Sequence, residues 1–149
     1  IEVLSHIPSH ISYNVTKRDK TGMIRTVQVA PDRTAVVTEA AFATNHQGAI
    51  EWAENAGFNK TAERASYMEN LLIKGVSGKA PTNAFLHPPL YNTQFAEGLG
   101  TLNTAVYRPT KGVVQLHWTN DKMIQSFNEF KEEKKIITFN QYEPVIIRK

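Results

Sequence analysis

The chain has 149 residues, 41% hydrophobic and 21% charged, the balance of an ordinary globular protein, and its length suits one domain, residues 1–149, with a real core. The net charge of +3 and pI of about 9.2 are mildly basic. Lys131-Glu132-Glu133-Lys134-Lys135 mixes signs and Lys17-Arg18-Asp19-Lys20 falls at an expected turn, so no clustered stripe points to nucleic acid. With no cysteine, no apolar run near the ~20 residues of a membrane span and no basic-then-apolar leader, the sequence excludes disulfides and thiolate metal sites. It gives no sign of a membrane partner and fits a cytoplasmic protein.

Residues 1–7 read as the tail of a helix, with Val3, Leu4 and Ile7 at helical spacing and Pro8 as the stop. His6 and His10 have a metal-like spacing, but Pro8 between them breaks the helix that would align them, so both read as surface histidines. Three short strands follow, over residues 11–17, 23–30 and 34–39, with turns at Asp19-Lys20-Thr21-Gly22 and Pro31-Asp32-Arg33. This pattern predicts an antiparallel meander.

The next stretch, Ala40-Ala41-Phe42-Ala43-Thr44-Asn45, is small and apolar, as expected where a backbone crosses a crowded core. A long loop over residues 46–60 should follow, with Trp52 and Phe58 as anchors. Residues 61–74 make the clearest helix, with Thr61 as N-cap, Gly75 as stop, and an apolar stripe of Ala65, Met68 and Leu72 with Leu71 beside it. Arg64 sits at the edge of that stripe, where its guanidinium can fold back toward the helix start or lie on the surface.

Residues 76–79 read as a linker, and Phe85-Leu86-His87-Pro88-Pro89-Leu90-Tyr91 as a rigid extended segment. The strongest hairpin joins residues 101–108 to 113–118 through Pro109-Thr110-Lys111-Gly112. Residues 123–127 read as a short helix or turn, 136–139 as a last strand and 142–149 as extended. The fold class is therefore α+β, antiparallel sheets with flanking helices. There is no phosphate loop, zinc motif or nucleophile elbow, and neither a metal nor an organic cofactor is indicated. Asn14-Val15-Thr16 and Asn59-Lys60-Thr61 match the glycosylation triplet, which is common by chance.

The order of features carries a resemblance. Tyr13-Asn14-Val15-Thr16 and Asp19-x-x-Gly22 are followed by Ala43-Thr44-Asn45-His46-Gln47, then Thr61-x-x-Arg64 opening a helix. Gly100-Thr101-Leu102-x-Thr104-x-Val106-Tyr107-x-Pro109 comes next, then Trp118 and Gln125-Ser126-Phe127. Over most of its length the chain resembles the C-terminal part of bacterial proteins of the penicillin acyltransferase family (acyl-CoA:6-aminopenicillanic acid acyltransferase-like). These are N-terminal nucleophile hydrolases related to choloylglycine hydrolases and penicillin V acylases.

The resemblance implies an αββα sandwich and acyl transfer through a cysteine freed at a new N-terminus by self-cleavage. It places Asn45 as the oxyanion asparagine, a neutral donor that meets developing negative charge without changing its own protonation. It places Arg64 beside the nucleophile, where a cation raises the thiolate fraction. His46 and Trp52 are the candidate substrate-binding residues.

The departure is equally plain: the chain has no cysteine, and residue 1 is Ile. The expectation is a C-terminal piece whose partner is the nucleophile-bearing N-terminal part of the same precursor, acting on a small amide or acyl substrate. A start without Met favours that reading. The alternative is a non-catalytic binding or structural partner subunit of the same fold. A half sandwich leaves a sheet face open, which is expected to drive homo-oligomerisation, whereas the alternative predicts a closed surface.

Overall fold

A computed structural model describes residues 2–6, 8–50, 52–77 and 79–139. The fold is α+β: two small antiparallel three-stranded sheets with a few helices, divided between two compact units that meet in sequence at Gly75 and Val76. Among the described residues no helix is long and apolar enough to cross a membrane.

The first unit opens on α1, Glu2–His6, which packs against the sheet that follows. His6 and His10 are both exposed. Strands β1 (Tyr13–Arg18), β2 (Ile24–Ala30) and β3 (Arg33–Thr38) form the expected meander, with β2 in the centre. The turns follow from their residues. Gly22 takes φ +90°, and one Asp19 carboxylate oxygen accepts from the Thr21 amide (2.8 Å), the Thr21 hydroxyl (2.6 Å) and the Met23 amide (3.0 Å). Pro31-Asp32 alone makes the second turn, since Arg33 already pairs with Ala30.

The core of this unit lies along β2, where Thr26, Val27, Val29 and Ala30 are buried. Strand periodicity puts Asn14 and Thr16 of β1 on one sheet face with their partners Gln28 and Thr26 of β2. The Thr16 and Thr26 hydroxyls bond each other at 2.8 Å, and Thr26 donates to the Ala40 carbonyl at 2.8 Å. Residues 40–46 are thereby tied to this polar face. The expectation of a core crossing for this stretch is overturned: Ala40, Ala43 and Asn45 are exposed, because it lies on a polar sheet face rather than between apolar layers.

The expected loop over residues 46–60 contains a helix, α2 (Ala53–Asn59). Trp52 and Phe58 are not anchors, being 67% and 51% exposed. Helix α3 (Thr61–Ile73) follows at once, the chain turning through Lys60 at φ +54°. Thr61 is not the N-cap. It is fully buried, and its hydroxyl bonds the 44–46 loop instead of the helix start. The half-buried face of α3 carries Arg64, Ala65, Tyr67, Met68 and Leu71, while Leu72 is 51% exposed, so the stripe is rotated from the expected one. Gly75, at φ +62°, ends the helix as its lack of a Cβ allows.

In the second unit, α4 (Ala80–Ala84) follows the 76–79 stretch, with Pro81 in its first turn, where no amide is missed. Residues 85–91 turn rather than extend: the Tyr91 amide donates to the His87 carbonyl at 3.0 Å, the Pro88-Pro89 peptide is cis, and the reversal buries Leu90 and Tyr91. Strands β4 (Thr104–Arg108) and β5 (Val113–Trp118) form the expected hairpin through a 3-10 turn at Pro109–Lys111 and Gly112.

The helix or turn expected at 123–127 is instead strand β6, Asp121–Ser126, paired with β5 across a two-residue Thr119-Asn120 turn. The last strand expected at 136–139 is irregular, and Ile136 is 82% exposed. That segment is held by Lys135 on Asp121 at 2.7 Å and by Phe139 on Phe95, ring centroids 4.6 Å apart. The expectation for 142–149 lies outside the described residues.

Candidate functional site

The first unit carries a cleft of about 540 Å³ between the start of β1, the loop after β3 and the start of α2. Asn45, His46 and Trp52 all line it, together with Tyr13, Asn14 and Gln47 among others. Three of the four residues singled out in the sequence thus share one cavity.

The loop that carries Asn45 and His46 is clamped from below. Asn14 donates from Nδ2 to the Thr44 carbonyl at 3.0 Å and to the His46 carbonyl at 3.2 Å. Gln47 donates from Nε2 to the Tyr13 and Val29 carbonyls, both at 2.9 Å, and accepts from Arg33 Nη2 at 3.2 Å on Oε1. Tyr13 and Val29 are opposite one another in the sheet, so Gln47 closes the end of that pair.

Arg64 does not line the cleft but reaches it through Asn45. Its Nη1 donates to Asn45 Oδ1 at 2.8 Å and, at 3.5 Å, to the Asn59 carbonyl just before α3. This is the fold back toward the helix start. Burial lowers the Arg64 pKa from its ordinary value, and its Nε is buried without a hydrogen-bond partner. Among the described residues no carboxylate pairs with it. Fixing Asn45 Oδ1 on a guanidinium also fixes which branch of the amide remains: Nδ2, with two N–H donors and no partner among the described residues.

His46 is held just as closely. Its Nδ1 lies 2.8 Å from the Thr61 hydroxyl and 3.1 Å from the Thr44 hydroxyl, and Thr61 donates to Thr44 at 2.9 Å. Two hydroxyls and a ring nitrogen form a closed triangle at the first residue of α3. Trp52 contributes a largely exposed indole to the cleft mouth.

Asn14, Gln47, Thr44 and Thr61 were not picked out as site residues in the sequence. Asn14 reads there as a strand residue within a glycosylation triplet, and Thr61 as a helix cap. The available signal was the motif order, in which all four stand and Thr44 and Gln47 directly flank Asn45-His46. Among the described residues, no three His, Asp or Glu side chains cluster to hold a metal ion. Comparison of the chain with protein-family models, with curated proteins and with solved structures gave no match.

Proposed function

We propose that this chain supplies the oxyanion-binding wall of a cysteine amidohydrolase or acyltransferase of the N-terminal nucleophile type. The observation that carries the reading is Asn45: it lines a cleft, Arg64 occupies its oxygen, and its Nδ2 donors are unspent. The finer fold assignment, an αββα sandwich, belongs to the same proposal.

The chain has no cysteine, so the nucleophile comes from a separate N-terminal part. In the proposed reaction its thiolate attacks the carbonyl carbon of a linear amide and the C=O electrons move to oxygen. Asn45 Nδ2 donates to that oxyanion. Collapse expels the amine, which takes the proton that the nucleophile's own α-amino group drew from the thiol, and leaves a thioester that water or a second amine opens. A guanidinium without a carboxylate partner suits this place, because it orders the asparagine and adds positive potential where negative charge develops.

A second reading, a non-catalytic partner module, draws on edge strand β3, where Val36 and Val37 are 50% and 44% exposed. The two readings part at Asn45, since only the first needs its free donors. The test is to read the coding sequence in frame upstream of Ile1, express the whole protein and compare it with its Asn45→Ala variant on small amides. Removal of one oxyanion donor is expected to lower kcat by about 10²–10³-fold with little change in KM. An upstream sequence without a Cys, Ser or Thr nucleophile, or an unchanged kcat, overturns the catalytic reading.

A further inference from the structure

A threonine hydroxyl has a single proton. Thr61 donates its proton to Thr44, and two hydroxyl oxygens face His46 Nδ1, Thr61 at 2.8 Å and Thr44 at 3.1 Å. A ring N–H on Nδ1 meets both oxygens and fills the Thr61 contact without a second proton from Thr61. In a neutral imidazole the other nitrogen, Nε2, is then a pure acceptor.

This is the opposite of the tautomer that free histidine favours in water. It is selected here by a threonine that is fully buried. Nε2 has no partner among the described residues, and His46 lines the cleft. Beside it in the chain, Asn45 offers an unspent donor. The two residues are consecutive and both line the cleft, and an acceptor with a donor is the complement of an amide, which presents an N–H and a C=O.

Resting on the proposed oxyanion role of Asn45, we propose that the Thr44–Thr61 hydroxyl pair locks His46 in its Nδ1–H form, so that Nε2 accepts the N–H of an amide whose carbonyl meets Asn45. The ligand class follows: primary and secondary amides are selected over esters and tertiary amides, which have no N–H to give. A site with a buried polar group left unpaired by a ligand rejects that ligand. His46 is here a substrate-orienting residue, and its neighbour Thr61 a positioning residue that acts through it.

The test uses the full chain with ¹⁵N-labelled histidine, and phenylacetamide against N,N-dimethylphenylacetamide as ligands. Long-range ¹H–¹⁵N spectra of the neutral His46 ring are expected to give a protonated Nδ1 and a bare Nε2. Thr61→Ser should keep that pattern, and Thr61→Val should move the ring toward Nε2–H. Phenylacetamide should shift the His46 Nε2 resonance and bind on the order of five- to tenfold more tightly than its dimethyl analogue, the worth of one net hydrogen bond.

An Nε2–H ring in the unmutated chain overturns the inference, as does equal affinity for the two amides, and the tautomer measurement stands even if Thr61→Val fails to fold. Shifts of the Asn45 side-chain amide by both ligands with His46 unmoved remove the His46 inference and leave the oxyanion reading in place. No shift at Asn45 with either ligand removes both.

Discussion

Replacing Asn14 by aspartate changes one NH₂ to an oxygen and almost nothing in shape, yet it should be among the most damaging substitutions in the first unit. Asn14 Nδ2 donates to two carbonyls, Thr44 at 3.0 Å and His46 at 3.2 Å, and its Oδ1 is buried with no donor facing it. Asn14→Ala deletes two hydrogen bonds of roughly 1 kcal/mol net each and should cost about 1–2 kcal/mol. Asn14→Asp deletes the same bonds and sets a carboxylate against two carbonyl oxygens, so about 2–4 kcal/mol is expected at neutral pH.

The sign of the pH dependence follows. Those carbonyls disfavour the anion in the fold and hold the introduced carboxyl above its unfolded value, so the folded state binds the proton more tightly. The penalty is then largest above the carboxylate range and shrinks as pH falls through it, where a protonated oxygen can donate to one carbonyl. Urea unfolding at pH 7.5 and at pH 4, with hydrogen exchange of the Val27 and Val29 amides as the reporter of this unit, measures both effects. Equal stability of the Asp and Ala variants at neutral pH, or a difference that does not move with pH, would refute the clamp.

Three further outcomes are expected. A double-mutant cycle of Asn45→Ala and Arg64→Ala should give a coupling of about 0.5–1.5 kcal/mol in unfolding experiments, modest because Asn45 is exposed, and additivity within error would remove the Arg64–Asn45 bond. Asp19, whose pKa is lowered from 3.8 chiefly by the Thr21 hydroxyl, stabilises its turn above that value and loses the effect as pH falls through the folded pKa. Asp19→Ala should therefore lower the urea midpoint at pH 7 and match the unmutated chain in strong acid. A gap that stays constant with pH would contradict the turn geometry. Gly112→Ala puts a Cβ at φ +62° in the β4–β5 hairpin and should cost about 1–2 kcal/mol by thermal unfolding. A neutral result would mean that the turn relaxes.

The meander and the β4–β5 hairpin were legible because alternation and turn residues agree there: Gly22, Pro31 and Gly112 each sit where the chain reverses. Residues 121–126 were misread because Thr119-Asn120 is a weak turn signal and Met123-Ile124 has no distinctive period. Asn45 and Arg64 were found through the order of neighbouring motifs, but not that one binds the other. That contact depends on where α3 starts: Thr61, expected as the cap, is the first residue of the helix, and its hydroxyl bonds Thr44 and His46 instead. Asn14 and Thr26 were invisible as loop anchors, since a polar residue at alternate strand positions normally signals a solvated face. Here that face anchors the stretch that lines the cleft.

The four hydrogen bonds by which Asn14 and Gln47 hold the 44–47 loop to β1 and β2 all end on backbone carbonyls. That wall of the cleft is stiff: moving it outward breaks every one of them, and sliding β1 along β2 would drag it sideways. Trp52 lines the same cleft, is largely exposed and is held by none of these four bonds. A ligand in the cleft would meet Asn45 and His46 on a braced loop and an indole with room to turn.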